Sequence, residues 1–138
     1  MKAKRAILFD LDGTLLPMDQ DVFTKGYFRL LAAKLAPYGY DPQLLISSLW
    51  KGVSAMVKNN GVETNSARFW ETFNREMGRD CRVDDPIFDS FYRNEFHGAK
   101  EFTQPNHRAR ALVAAAREKA DLVILSTNPI FPRCGQQS

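Results

Sequence analysis

Apolar and polar positions divide the chain into segments of two different periods. Ala6-Ile7-Leu8-Phe9 is an unbroken apolar run stopped by Asp10, the pattern of a strand buried on both faces of a parallel sheet. Asp12-Gly13-Thr14 reads as a turn. Beyond Pro17 the spacing becomes helical, with Val22, Phe23, Tyr27, Phe28, Leu30, Leu31 and Leu35 recurring up to Pro37. Asp41-Pro42 has the chemistry of a helix start, and the apolar face that follows holds Leu45, Leu49, Trp50, Val53, Met56 and Val57, with Gly61 as its left-handed stop. A third helix is predicted from Asn65 to Met77, with Phe69, Trp70, Phe73 and Met77 as its apolar positions and Gly78 at its end. A fourth starts at Asp85-Pro86 and presents Ile87, Phe88, Phe91, Tyr92 and Phe96. Gln104-Pro105 opens a fifth, through Leu112, Val113 and Ala116 to Lys119, and Leu122-Val123-Ile124-Leu125 is a second short apolar strand.

The order is therefore strand, a block of four helices, helix, strand. It predicts an α/β protein in which two neighbouring parallel strands are joined by a right-handed crossover, with the helical block inserted after the first strand. No repeat, low-complexity tract or linker interrupts the pattern. In such sheets function sits at the carboxyl ends of the strands.

Composition narrows the class. The chain has 138 residues, 44% hydrophobic and 25% charged, as in ordinary globular domains. Nineteen Lys and Arg against sixteen Asp and Glu give a net charge of +3, spread along the chain. The basic runs Lys2-Ala3-Lys4-Arg5 and Arg108-Ala109-Arg110 are too short for a nucleic-acid footprint. No window reaches the roughly 18 apolar residues of a membrane span, and the apolar run after Arg5 is too short for a signal peptide. Cys81 and Cys134 form no CxxC pair or disulfide framework, so a cytoplasmic location is expected. His97 and His107 lack zinc-ligand spacing. A calcium loop counted from Asp10 fails, because Leu15 stands where it needs Gly and Asp21 where it prefers Glu.

Both strands end in groups suited to phosphate chemistry, Asp10-Leu11-Asp12-Gly13-Thr14 and Ser126-Thr127-Asn128. Alternation on an extended segment lets Asp10 and Asp12 share one pocket, and Gly13 supplies a turn that lets backbone approach a ligand. Two carboxylates in one pocket repel unless a cation is present, and Mg2+ prefers such oxygen ligands together with a substrate phosphate.

Phe9-Asp10-Leu11-Asp12-Gly13-Thr14-Leu15 resembles the first motif of the haloacid dehalogenase superfamily of phosphohydrolases, and Leu122 to Asn128 resembles its second. Composition alone would produce the first motif in about one chain per thousand of this length. The resemblance implies a family-like parallel core made from residues 1–15 and 101–138, with a helical cap inserted at 16–100. It implies that Asp10 is the nucleophile, forming an aspartyl-phosphate, and that Asp12 is the general acid and then the base. It implies Mg2+ held by the Asp10 carboxylate and the backbone carbonyl of Asp12, and phosphate held by Thr127 and the amide of Asn128, with Gly13 at the turn. Ser126 is the alternative to Thr127. The expected substrate is a small phosphorylated molecule, selected by the cap. Lys25, Lys51, Arg68 and Trp70 are conceivable substrate contacts, but solvated charges and a core aromatic explain them better, and no role is assigned to them.

The chain departs from the family where a downstream Lys and a second acidic cluster are needed. Residues 129–138 contain Arg133 but no Lys, Asp or Glu. Two strands where the family has at least five predict an incomplete core, a truncated chain and negligible turnover by this chain alone. The rival expectation is a non-catalytic remnant that binds a protein, or itself, through apolar surface the missing core would have covered.

Overall fold

The structure is a computed structural model and describes residues 5–126; Thr127, Asn128, Arg133 and Cys134 lie outside them. The protein is mixed α/β and mostly helical, with a small sheet of two parallel strands, β1 (Ala6–Asp10) and β2 (Leu122–Ser126). Five α-helices of the described residues lie between the strands: α1 (Gln20–Leu35), α2 (Pro42–Val57), α3 (Asn65–Met77), α4 (Asp85–Arg93) and α5 (Ala109–Lys119). They fall into two compact units whose boundaries lie at Thr24/Lys25, inside α1, and at Ala99/Lys100.

The unit from Lys25 to Ala99 is organised by helix caps and aromatic packing. Asp41 caps α2 by accepting from the Leu44 amide at 2.8 Å, with Pro42 in the first turn, where a missing N–H costs nothing. Thr64 caps α3 at the Ala67 amide (3.1 Å), and Gly78 closes it in the left-handed conformation. These ends match the spacing in the sequence. The core is built from the faces of Tyr27, Phe28, Leu31 and Leu35 on α1, Leu45, Leu49 and Met56 on α2, Phe69, Trp70 and Phe73 on α3, and Phe88 and Phe91 on α4. Trp70 stands edge-on to Phe88 at 5.7 Å, and Phe69 stacks on Phe73 at 5.4 Å. Tyr27 also shares a hydroxyl hydrogen bond with Tyr92. Gly52 lets α2 and α3 approach closely, since a Cβ there would lie 2.6 Å from the Phe69 ring.

A polar cluster pins the segment after α1 to the one between α3 and α4. The buried Tyr40 hydroxyl donates to Asp84 Oδ2 at 2.7 Å, and Arg79 donates to the same oxygen at 3.0 Å while its guanidinium lies over the Tyr40 ring. Burial, and then the bond to Asp84, push the Tyr40 hydroxyl well above its ordinary pKa. Burial also raises the Cys81 thiol alongside.

Three expectations need correction. Helix α2 ends at Val57, ahead of Gly61, because Asn59 and Asn60 turn the chain by accepting from the Gly61 and Val62 amides. Phe96 is not on the fourth helix; Asn94 breaks it, and a 3₁₀ segment over Glu95–Phe102 carries Phe96. Helix α5 begins at Ala109, not at Gln104-Pro105, because the side chain of Asn106 makes a turn there.

The other unit holds the sheet, paired in register from Ala6 opposite Leu122 to Asp10 opposite Ser126. Reciprocal bonds between Arg5 and Asp121 start the ladder, the Arg5 amide to Asp121 Oδ2 at 3.0 Å and the Asp121 amide to the Arg5 carbonyl at 2.9 Å. The expectation that the first strand is buried on both faces fails. Ile7, Phe9 and Val123 are half-buried, whereas Leu8 and Leu125 are 65% and 57% exposed. Two strands among the described residues leave the sheet without the flanking layers that bury a larger parallel sheet.

Candidate active site

The parallel register brings the carboxyl ends of both strands together, as the sequence pattern requires. Asp10 is the last residue of β1 and stands opposite Ser126, the last of β2, and the Leu11 amide continues the ladder to the Ser126 carbonyl at 2.9 Å. Asp10 is exposed. Thr14 Oγ1 donates to its Oδ2 at 3.0 Å, leaving Oδ1 with no hydrogen-bond partner among the described residues. One oxygen is therefore positioned and the other is open.

From Leu11 to Leu16 the chain folds into a tight loop. The Thr14 and Leu16 amides both donate to the Leu11 carbonyl, at 3.2 and 2.9 Å, and the Gly13 amide donates to the Leu16 carbonyl at 2.9 Å. Gly13 has φ +78°, the left-handed conformation that glycine adopts without strain. Space is not the reason for glycine, since a Cβ would meet its nearest neighbours at ordinary contact distances. Because its N–H is used within the loop, Gly13 offers a ligand the shape of the turn and not a donor. Asp12, only 8% exposed, is folded into this loop.

Two amide side chains that sequence reasoning did not single out hold the loop from outside. Asn106 Nδ2 donates to the Leu15 carbonyl at 2.9 Å while its Oδ1 accepts from the Arg108 amide. Gln20 Nε2 donates to the Asp12 carbonyl at 3.3 Å. Gln20 opens α1, which Asp19 caps by accepting from the Val22 amide at 3.0 Å. Nothing local in the sequence marks either amide, because each bond joins residues that only the fold brings together.

The donors present fit Mg2+ and no softer metal. The Asp10 carboxylate and the Asp12 carbonyl are hard oxygens, and Mg2+ keeps several waters and takes few protein ligands. No group of three His, Cys, Asp or Glu that could hold a metal occurs among the described residues. Any ion held here must take its remaining ligands from neutral oxygens, water and the substrate phosphate.

The other residues weighed from sequence fall elsewhere. Lys51 pairs with Glu76, Arg68 with Glu63 and Glu71, and Trp70 is in the aromatic core. Lys25, His97 and His107 are exposed and Cys81 is buried. Among the described residues no helix is long and apolar enough to cross a membrane. Comparison of the chain with family models, with curated proteins and with solved structures finds no match in any of the three.

Proposed function

We infer that the chain carries the nucleophile of a Mg2+-dependent phosphohydrolase similar to the haloacid dehalogenase superfamily, acting on a small phosphorylated molecule through an aspartyl-phosphate. The observation that carries the reading is Asp10 itself: exposed at the carboxyl end of a parallel strand, opposite Ser126, with one oxygen held by Thr14 and the other open. Topological position, exposure and orientation are what a carboxylate nucleophile needs.

In this reading Asp10 Oδ1 attacks phosphorus while the bond to the leaving oxygen breaks. The Asp12 carboxyl gives that oxygen its proton. Asp12, now a carboxylate, takes a proton from water, whose oxygen attacks the same phosphorus and releases Asp10 and inorganic phosphate. Thr14 keeps Asp10 in one rotamer through both steps. When bound at the Asp10 carboxylate and the Asp12 carbonyl, Mg2+ supplies charge neutralisation to the phosphoryl group. Thr127 and the Asn128 amide belong to the proposal as phosphate donors. Residues 16–100 belong to it as the cap that selects the leaving group.

The test is a single phosphoryl transfer to Asp10. Incubation with acetyl phosphate and Mg2+ should add the mass of one phosphoryl group to the intact chain, labile to hydroxylamine and lost in Asp10→Asn. An adduct that persists in Asp10→Asn, or no adduct on the wild type, overturns the reading.

The apolar surface on Leu8 and Leu125 favours a second reading, a protein-binding module without catalysis. Its mark is association that persists in Asp10→Asn and is abolished by Leu8→Lys.

A further inference from the structure

We propose that Asn106 is a positioning residue for Asp12, holding the loop in the shape from which Asp12 takes a proton from water in the second step. The inference rests on the reading of Asp10 as nucleophile and Asp12 as acid and base.

Asn106 lies just ahead of α5, and its Nδ2 donates at 2.9 Å to the Leu15 carbonyl, 91 positions away in the same compact unit. Its Oδ1 accepts from the Arg108 amide at 3.1 Å. A carbonyl only accepts and a backbone N–H only donates, so these two partners fix which end of the side chain faces which. The Gln104 amide donates to the Pro17 carbonyl at 2.8 Å, a second tie between the same two segments.

The Asn106 bond reaches Asp12 through two peptide groups. The Leu15 carbonyl and the Leu16 N–H belong to one planar group, so holding the carbonyl aims the N–H. That N–H donates to the Leu11 carbonyl at 2.9 Å. The Leu11 carbonyl belongs in turn to the group that contains the Asp12 nitrogen and Cα, so its orientation sets where the Asp12 side chain starts. Asp10 is placed differently, as the last residue of β1 in the ladder with β2. Loss of the Asn106 donor therefore falls on the step that uses Asp12 more than on the step that uses Asp10.

Acetyl phosphate separates the two steps. Asp10 Oδ1 attacks phosphorus as the bond to the acetate oxygen breaks, and acetate leaves with the electron pair as a stable anion that needs no proton. In the second step the oxygen of water attacks the same phosphorus, Asp12 takes the proton of that water, and the bond to Asp10 breaks. Formation of the adduct thus reads Asp10, and its loss to water reads Asp12.

The test follows formation and loss of the phosphoryl adduct on the full chain by intact mass, with Mg2+, in the wild type, Asn106→Ala, Asn106→Asp and Asp12→Asn. Far-UV circular dichroism checks that each variant is folded. Asn106→Asp keeps an oxygen to accept from the Arg108 amide and removes the N–H that holds Leu15, so it separates the loop contact from the start of α5. Both Asn106 variants should form the adduct within about threefold of the wild-type rate and lose it about 10-fold to 100-fold more slowly. Wild-type loss in Asn106→Asp, or equal slowing of formation and loss, overturns the proposal, the first by tracing any effect of Asn106→Ala to α5. Should Asn106→Ala fail to fold, Asn106→Asp decides by the same criteria. If Asp12→Asn slows the loss while the Asn106 variants do not, only the role of Asn106 fails. If the wild type forms no adduct or does not release it, or if Asp12→Asn releases it at the wild-type rate, the reading of the site fails and the inference with it.

Discussion

Gly52→Ala tests the packing of the helical unit because two known effects oppose each other there. In a helix interior, alanine is more favourable than glycine by about 1 kcal/mol. At position 52 the new methyl would lie 2.6 and 2.7 Å from two carbons of the Phe69 ring, inside any allowed contact. The ring has little room to retreat, being 1% exposed and wedged between Trp70 at 5.5 Å and Phe73 at 5.4 Å. Overpacking a core by one methyl costs about 1–3 kcal/mol, so the net expectation is a loss of about 1 kcal/mol, a fall in Tm of roughly 3 °C. Urea denaturation followed by circular dichroism measures the change. A second comparison isolates the cause: Gly52→Ala combined with Phe69→Leu should lose about 1 kcal/mol less than the sum of the two single variants, because the smaller side chain admits the methyl. A Gly52→Ala chain more stable than the wild type, or strict additivity in the pair, would refute the close approach of α2 and α3.

Other perturbations have equally definite signs. Ser48 is 1% exposed and its hydroxyl is the one buried side-chain polar atom without a partner among the described residues, so Ser48→Ala should raise stability by about 1 kcal/mol; a lower urea midpoint would contradict this. Tyr40→Phe removes the donor to Asp84 and should lower stability by about 1–2 kcal/mol at neutral pH, read by thermal melting. Folding raises the pKa of both Tyr40 and Cys81, so each contributes stability that is complete below its unfolded pKa and declines above it. Stability should therefore fall as pH rises beyond about 9, and the fall above about pH 10 should be shallower in Tyr40→Phe. An unchanged alkaline slope would exclude Tyr40 as its source.

How much of this was legible beforehand depended on whether the determining interactions were local. Helix α3 could be read residue by residue because Thr64 and Gly78 carry their instructions within one turn of the chain ends they cap. The parallel pairing of the strands followed from two apolar runs separated by helices, and it placed Asp10 beside Ser126. The start of α5 was misread because Gln104-Pro105 has the chemistry of a helix start, whereas the Asn106 side chain accepts from the Arg108 amide and delays the helix to Ala109. Nor was the openness of the sheet, since an apolar run states what a strand would bury and not whether a covering layer exists. At the candidate site, Asp10, Asp12 and Gly13 stood out as a motif. Gln20 did not, because its partner is a backbone carbonyl that has no signature in sequence.

The connection between β1 and β2 also governs the order in which the chain acquires its structure. Arg5 and Asp121, which start the ladder, are 116 positions apart. Closing a loop of roughly 110 residues costs about 2 kcal/mol more in chain entropy than closing one of ten. Helices α2 and α3 meet across a short turn and incur no such penalty. Asp10 is thus held in place by the pairing with the greatest closure cost and the least burial, while the aromatic interior rests on nearer contacts. Opening of the two short strands would release Asp10 from its place opposite Ser126 without requiring the helical unit to unfold.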